Sequence, residues 1–127
     1  MRLSRQGLSL LLLNHVVELR FRRRILKEGY NIQRRMLCTN DKALLLSPQG
    51  QQILNYKPPT DKLLYNPAQK NLIPAWDIFM QNYRMVSCES VDVVAVIKST
   101  PAVDFWKYFQ EKIIPMNSLG KAEFMNN

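Results

Sequence analysis

The sequence predicts a mainly β fold: a small five-stranded barrel with a short N-terminal helix and a C-terminal amphipathic helix. Three observations carry this. Hydrophobicity alternates with a period of two from Val17, again over Tyr30–Thr39, and in three further stretches between Leu72 and Ile97. Leucines at helical spacing precede the first of these stretches. Residues 100–115, TPAVDFWKYFQEKIIP, carry the caps and apolar stripe of a helix. A chain of 127 residues is one domain by size. Residues 1–99 form the barrel with its N-terminal helix, and residues 100–127 the C-terminal helix and a loose tail.

The elements follow in order. Ser4 is a candidate N-cap for a helix through about Leu13, with Leu8, Leu11 and Leu12 on one side. In the first strand Val17, Leu19 and Phe21 face a core, while Glu18, Arg20, Arg22 and Arg24 face water. Lys27-Glu28-Gly29 turns the chain into a returning strand. There Ile32, Met36 and Cys38 point inward, with Arg34 on the same face at a bulge or a rim. Residues 40–71 form a long, mostly irregular insertion rich in Pro, Gln, Asn and Lys, with one short helix around Lys42–Leu46. LIPAWDIF and YRMVSC flank a turn at MQN, and Pro74 marks a strand start or an edge. SVDVVAVI reads as a buried last strand through Val91, Val93, Val96 and Ile97. The final helix takes Thr100 as N-cap, Pro101 at its first position, and a stripe of Val103, Trp106, Phe109 and Ile113.

Charge is distributed unevenly. The net charge is +8. Residues 1–42 hold ten Lys/Arg against three Asp/Glu, +7, and residues 43–127 hold eight against seven, +1. Such asymmetry favours an anionic partner, nucleic acid or an acidic protein surface. The longest early apolar run, LSLLLL at residues 8–13, is far short of the ~20 residues of a membrane-spanning helix, so no membrane partner is expected. Cys38 and Cys88 lack any zinc spacing and read as reduced core thiols of a cytoplasmic protein, with a single bridge between neighbouring strands as the alternative. No metal or cofactor is implied.

Short motifs in NHVVELRF (Asn14–Phe21), RMLCT (Arg35–Thr39), LIPAWD (Leu72–Asp77), QNYR (Gln81–Arg84) and SVDVVAVI (Ser90–Ile97) resemble a family of small proteins frequent in tailed bacteriophages and named after the WYL domain. The resemblance spans residues 14–97 and implies an Sm-like or SH3-like barrel, a viral origin and the host cytoplasm as location. It implies no activity, because the family has no established common function. The chain departs from the family at RILKEGYN, where a compact turn is usual, and at Tyr83, where tryptophan is usual. The C-terminal helix has no counterpart in the family core.

Nothing in the sequence assembles an active site, and the chain reads as non-enzymatic. His15 is the only histidine, no Gly-rich phosphate loop is present, and Asp77 with Arg84 reads as an ion pair pinning a hairpin. The functional candidate is the arginine cluster. Arg20, Arg22 and Arg24 recur every second residue, about 6.6 Å apart along a strand, and guanidinium groups bind phosphate bidentately. Arg23, Lys27 and Arg35 extend the patch. Tyr56 and Tyr65 in the insertion are candidates to stack on a base or to pin the loop. The competing reading is a protein-interaction or assembly module, a host-factor binder or virion component, docking through exposed Phe105 or Tyr108. A homo-oligomer built by pairing of edge strands is a third arrangement.

Overall fold

Ser4 starts the first helix: its Oγ accepts a hydrogen bond from the Gly7 N–H at 3.1 Å. In the computed structural model, which describes residues 3–22, 33–59, 66–98 and 102–125, helix α1 runs Arg5–Asn14. Leu8 and Leu12 are buried on it and Leu11 packs beside them. The hydrophobic period then drops to two and strand β1, His15–Arg22, begins without a linker. Strand β2, Gln33–Thr39, returns antiparallel with Val17 opposite Cys38 and Arg20 opposite Arg35. The turn expected at Lys27–Gly29, together with Arg23 and Arg24, lies outside the described residues.

Strands β3, Leu72–Asp77, and β4, Asn82–Ser87, form a hairpin whose loop is residues 78–81, two positions earlier than the expected MQN. Gln81 supplies its left-handed conformation, φ 54°. Strand β5, Val91–Lys98, pairs with β1. The order β4-β3-β2-β1-β5 makes a five-stranded antiparallel sheet. Among the described residues the sheet is open, because β4 and β5 do not pair and the expected barrel closure is missing. It is nevertheless strongly curled. Opposite edges of a flat five-stranded sheet lie ~19 Å apart, yet residues 88–90 join β4 to β5 and reach at most ~14 Å.

A bulge in the β1–β5 ladder, between Glu18 and Leu19, leaves Val94 without a register partner. It explains the broken alternation of SVDVVAVI. Val91 and Val93 fall on the inner face, whereas Ile97 lies opposite Val16 on the outer one. The strand is not buried throughout, since Val94 and Val96 are each 45% exposed.

Each face of the sheet has its own core. The concave face, closed by α1, holds Val17, Leu19, Met36, Cys38, Ile73, Val86 and the free thiol of Cys88. The convex face is not a wet face, as the sequence reading had it. Val16, Leu37, Trp76, Phe105, Ile113 and Phe124 bury it under the later helices. The insertion is also more ordered than expected. Helix α2, Lys42–Leu45, is N-capped by Asp41, and α3, Pro48–Ile53, by Ser47 with Pro48 at its first position.

The C-terminal segment corrects two expectations. Helix α4, Ala102–Tyr108, passes into a wide π-helical turn, Phe109–Ile113, closed by the Ile114 N–H donating to Phe109 O at 3.0 Å. The extra residue in that turn brings Ile113 under the sheet with Phe105, and Trp106 and Phe109 become half-buried flanks. Phe105 is fully buried, so it is no surface contact. Nor are residues 116–127 a loose tail: Ser118–Met125 form helix α5, packed on β2 through buried Phe124. The proposed caps Thr100 and Pro101 lie outside the described residues.

Gly50 carries the most stringent packing demand. A Cβ there would overlap the carbonyl oxygens of Leu44 and Leu45, because α3 rests on α2 backbone to backbone. Gly50→Ala is expected to destabilise the protein by about 1–3 kcal/mol in urea unfolding, the usual cost of overpacking.

Candidate functional site

Three polar constellations stand out, and the arginine segment supplies the first two. Arg34 is 3% exposed, because β2 and β3 pair only at Cys38↔Asp77 and Thr39↔Trp76 and its side chain enters where they part. Its Nη2 donates to Asp77 Oδ2 and to the Phe124 carbonyl, both at 3.3 Å. Asp77 is fully buried. Its Oδ1 accepts from the Phe79 and Met80 N–H groups at 3.0 Å, and its Oδ2 lies 3.6 Å from Arg84 Nε. The expected Asp77–Arg84 pair is therefore present, with Arg34 as an unforeseen third member. Burial pushes the Asp77 carboxyl above its ordinary value, against the pull of the Met80 N–H, Arg34, Arg84 and the Phe79 N–H. The same burial, with the Asp77 charge, raises the Cys38 thiol far out of the reactive range.

Second is the face on which Arg20 lies. Arg20 is exposed on β1. Arg35 opposite it is half-buried, donates to Glu18 at 2.7 Å, and sits 4.5 Å from the centre of the Phe124 ring. Arg35 thus holds α5 to the sheet, contrary to its assignment to an open anion-binding face. Arg22 ends β1, and Arg23, Arg24 and Lys27 lie outside the described residues. Tyr108 is half-buried, and burial pushes its phenol up.

The third was not anticipated. Tyr56 is buried and stands edge-on to Trp76 at 4.9 Å; Tyr83 stands edge-on to the same indole at 5.3 Å. Tyr56 therefore pins the insertion to the sheet rather than offering a ring to a base; Tyr65 lies outside the described residues. Lys42 Nζ donates to both phenol oxygens, at 2.6 and 3.0 Å, and the two oxygens are 2.7 Å apart. The ammonium also lies 5.0 Å from the centre of the Tyr56 ring. Desolvation pulls the Lys42 pKa down, but the bonds to Tyr56 and Tyr83 outweigh it and the net shift is upward. Burial pushes the Tyr83 phenol up, so at neutral pH it stays uncharged beside the ammonium. Beside this trio opens a groove of about 420 Å³, walled by Leu13, Pro59, Pro74 and Met85 with Asn40, Lys42 and Tyr83 as its polar members.

No known protein family, no curated protein and no solved structure matches this chain significantly. The site therefore has to be read from its own chemistry. Among the described residues no three His, Cys, Asp or Glu side chains gather as a metal site, and no helix is long and apolar enough to cross a membrane. His15 sits at the α1–β1 junction with a buried, unpartnered Nδ1. Sequence reasoning missed the Lys42 trio because its members lie 14 to 41 positions apart with no local motif.

Asp77→Ala is expected to cost about 3–5 kcal/mol in chemical denaturation, because it removes the oxygen that accepts from both turn N–H groups and leaves Arg34 buried without its carboxylate. Asp77→Ala combined with Arg34→Met should recover part of that loss, as a double-mutant cycle would report.

Proposed function

We propose that this chain is a non-enzymatic basic binding protein that contacts nucleic acid through the distal end of its β1–β2 hairpin. One observation carries the reading: +7 of the net +8 falls within residues 1–42, and the two arginines of β2 are consumed inside the molecule. Arg34 answers Asp77 and Arg35 answers Glu18. That leaves Arg20, Arg22, Arg23, Arg24 and Lys27 against Glu28 in one continuous stretch from β1 toward β2. A strand edge guarded against aggregation needs only a charge or two. Five cations in eight positions exceed that need and suit a row of phosphates. The frame we propose for this surface is the Sm-like or SH3-like barrel of the phage family that the sequence motifs resemble. Support comes from the strand order, the curl forced by residues 88–90, and α1 closing the concave face.

A second reading, a protein-docking or assembly module, is favoured by a different observation. β5 is an edge strand that exposes Val94 and Val96, and an apolar edge of this kind accepts an added strand.

Fluorescence anisotropy with short single- and double-stranded DNA and RNA tests the first reading. If four to six phosphates are contacted, the log–log slope of affinity against salt should be about −3 to −5. The combined variant Arg20→Ser, Arg22→Ser and Arg24→Ser, with an unchanged circular dichroism spectrum, should bind at least about tenfold more weakly at low salt. Absence of binding by the unaltered protein at low salt would refute the nucleic-acid reading, and β5 would become the surface to pursue.

A further inference from the structure

The Lys42 trio contains more hydrogen-bond donors than the protein itself uses. The ammonium has three N–H groups and the two phenols one O–H each. Two N–H groups go to the phenol oxygens of Tyr56 and Tyr83, and one O–H bridges those oxygens. One N–H and one O–H are left over, with no acceptor for them among the described residues. No carboxylate of the described residues pairs with Lys42. The lysine is nevertheless held in place, its Nζ fixed by two hydrogen bonds and two aromatic rings. The rings are themselves locked edge-on against the buried Trp76. Two convergent donors bearing one positive charge are thus pre-organised at the polar end of an otherwise apolar groove.

We propose that this groove binds an amphipathic monocarboxylate, a medium-chain fatty acid by chemical class. Its carboxylate would lie on Lys42 and the Tyr83 hydroxyl, the two members of the trio that line the groove, and its chain along Leu13, Pro59, Pro74 and Met85. A carboxylate presents two oxygens to the two spare donors, and its single charge neutralises the single ammonium. A phosphate dianion would keep an uncompensated charge beside an apolar wall, which is costly. A neutral alcohol of the same length would forgo the charge-assisted bond, worth more than a neutral one. The volume of about 420 Å³ lies within the range of small-molecule sites. The inference stands apart from the nucleic-acid reading: it uses none of the residues of the β1–β2 hairpin.

The test compares decanoate, decanol and acetate on the unaltered protein by NMR titration, following the methyl groups of Leu13 and Met85. Decanoate should bind roughly tenfold more tightly than decanol, and acetate should produce no shift of those methyls. Lys42→Met should weaken decanoate by roughly tenfold and leave decanol unchanged. If Lys42→Met does not fold, Tyr83→Phe, which removes one donor and keeps the ring, should still weaken decanoate relative to decanol. Equal affinity for decanoate and decanol, or no methyl shift at millimolar decanoate, would overturn the proposal. Because the comparison is made between ligands on the unaltered protein, either result is decisive without a variant, and neither touches the hairpin arginines.

Discussion

The buried carboxylate of Asp77 is the constraint on which the rest of the fold depends. One oxygen closes the β3–β4 turn by accepting from two backbone N–H groups, and the other holds Arg34 and Arg84. The turn sets the β3–β4 register, and Asp77 opposite Cys38 is one of only two register pairs that join β3 to β2. Arg34 then carries the same charge across to the Phe124 carbonyl and anchors α5. Since burial raises the Asp77 pKa in spite of four opposing donors, the cluster is no simple gain in stability. Its physical content is positional: it fixes where β2 leaves β3, and so where the C-terminal helix docks.

Much of the frame was legible because it rests on local periodicity. Ser4 and the leucine spacing marked α1, and Val17, Leu19 and Phe21 marked the inner face of β1. Helix α3, N-capped by Ser47, was not expected, because the Pro- and Gln-rich texture around it reads as loop. What failed were inferences about the outer face. Period-two alternation distinguishes two faces but cannot say whether a second layer covers the polar one. Here Val16 on β1 and Leu37 on β2 are the apolar members of that face, and the sequence reading placed neither of them. Arg35 consequently looked free, whereas Glu18 and the Phe124 ring engage it. Ile113 is buried as the stripe predicts, but the burial of Phe105 in place of Trp106 and Phe109 had no local signal, because the π turn that follows re-aims the helix.

The candidate site divides in the same way. The hairpin arginines are contiguous in sequence and could be picked out at once. The Lys42 trio is assembled from α2, the irregular stretch that follows α3, and β4, so only the fold brings it together. Tyr83 carries no sequence signal of this role: its phenol oxygen accepts from Lys42, which phenylalanine or tryptophan, lacking that oxygen, could not do.

The two proposed anion sites lie at opposite ends of β2, one leading into Gln33 and the other following Thr39, about 20 Å apart at the rise of a strand. They differ in physical character as well as place. The arginines of residues 20–24 would attract phosphate at long range, an attraction that falls with ionic strength over a Debye length of roughly 8–10 Å. Lys42 is a single ammonium fixed by hydrogen bonds beside an apolar wall, so an anion seated there is selected by its own apolar body. A net charge of +8 alone would suggest one diffuse basic surface. Resolved residue by residue, nine of the eighteen Lys/Arg fall into three sets: Arg34, Arg35 and Arg84, spent on architecture; the group Arg20, Arg22, Arg23, Arg24 and Lys27, suited to a polyanion; and Lys42, suited to one small anion with an apolar chain.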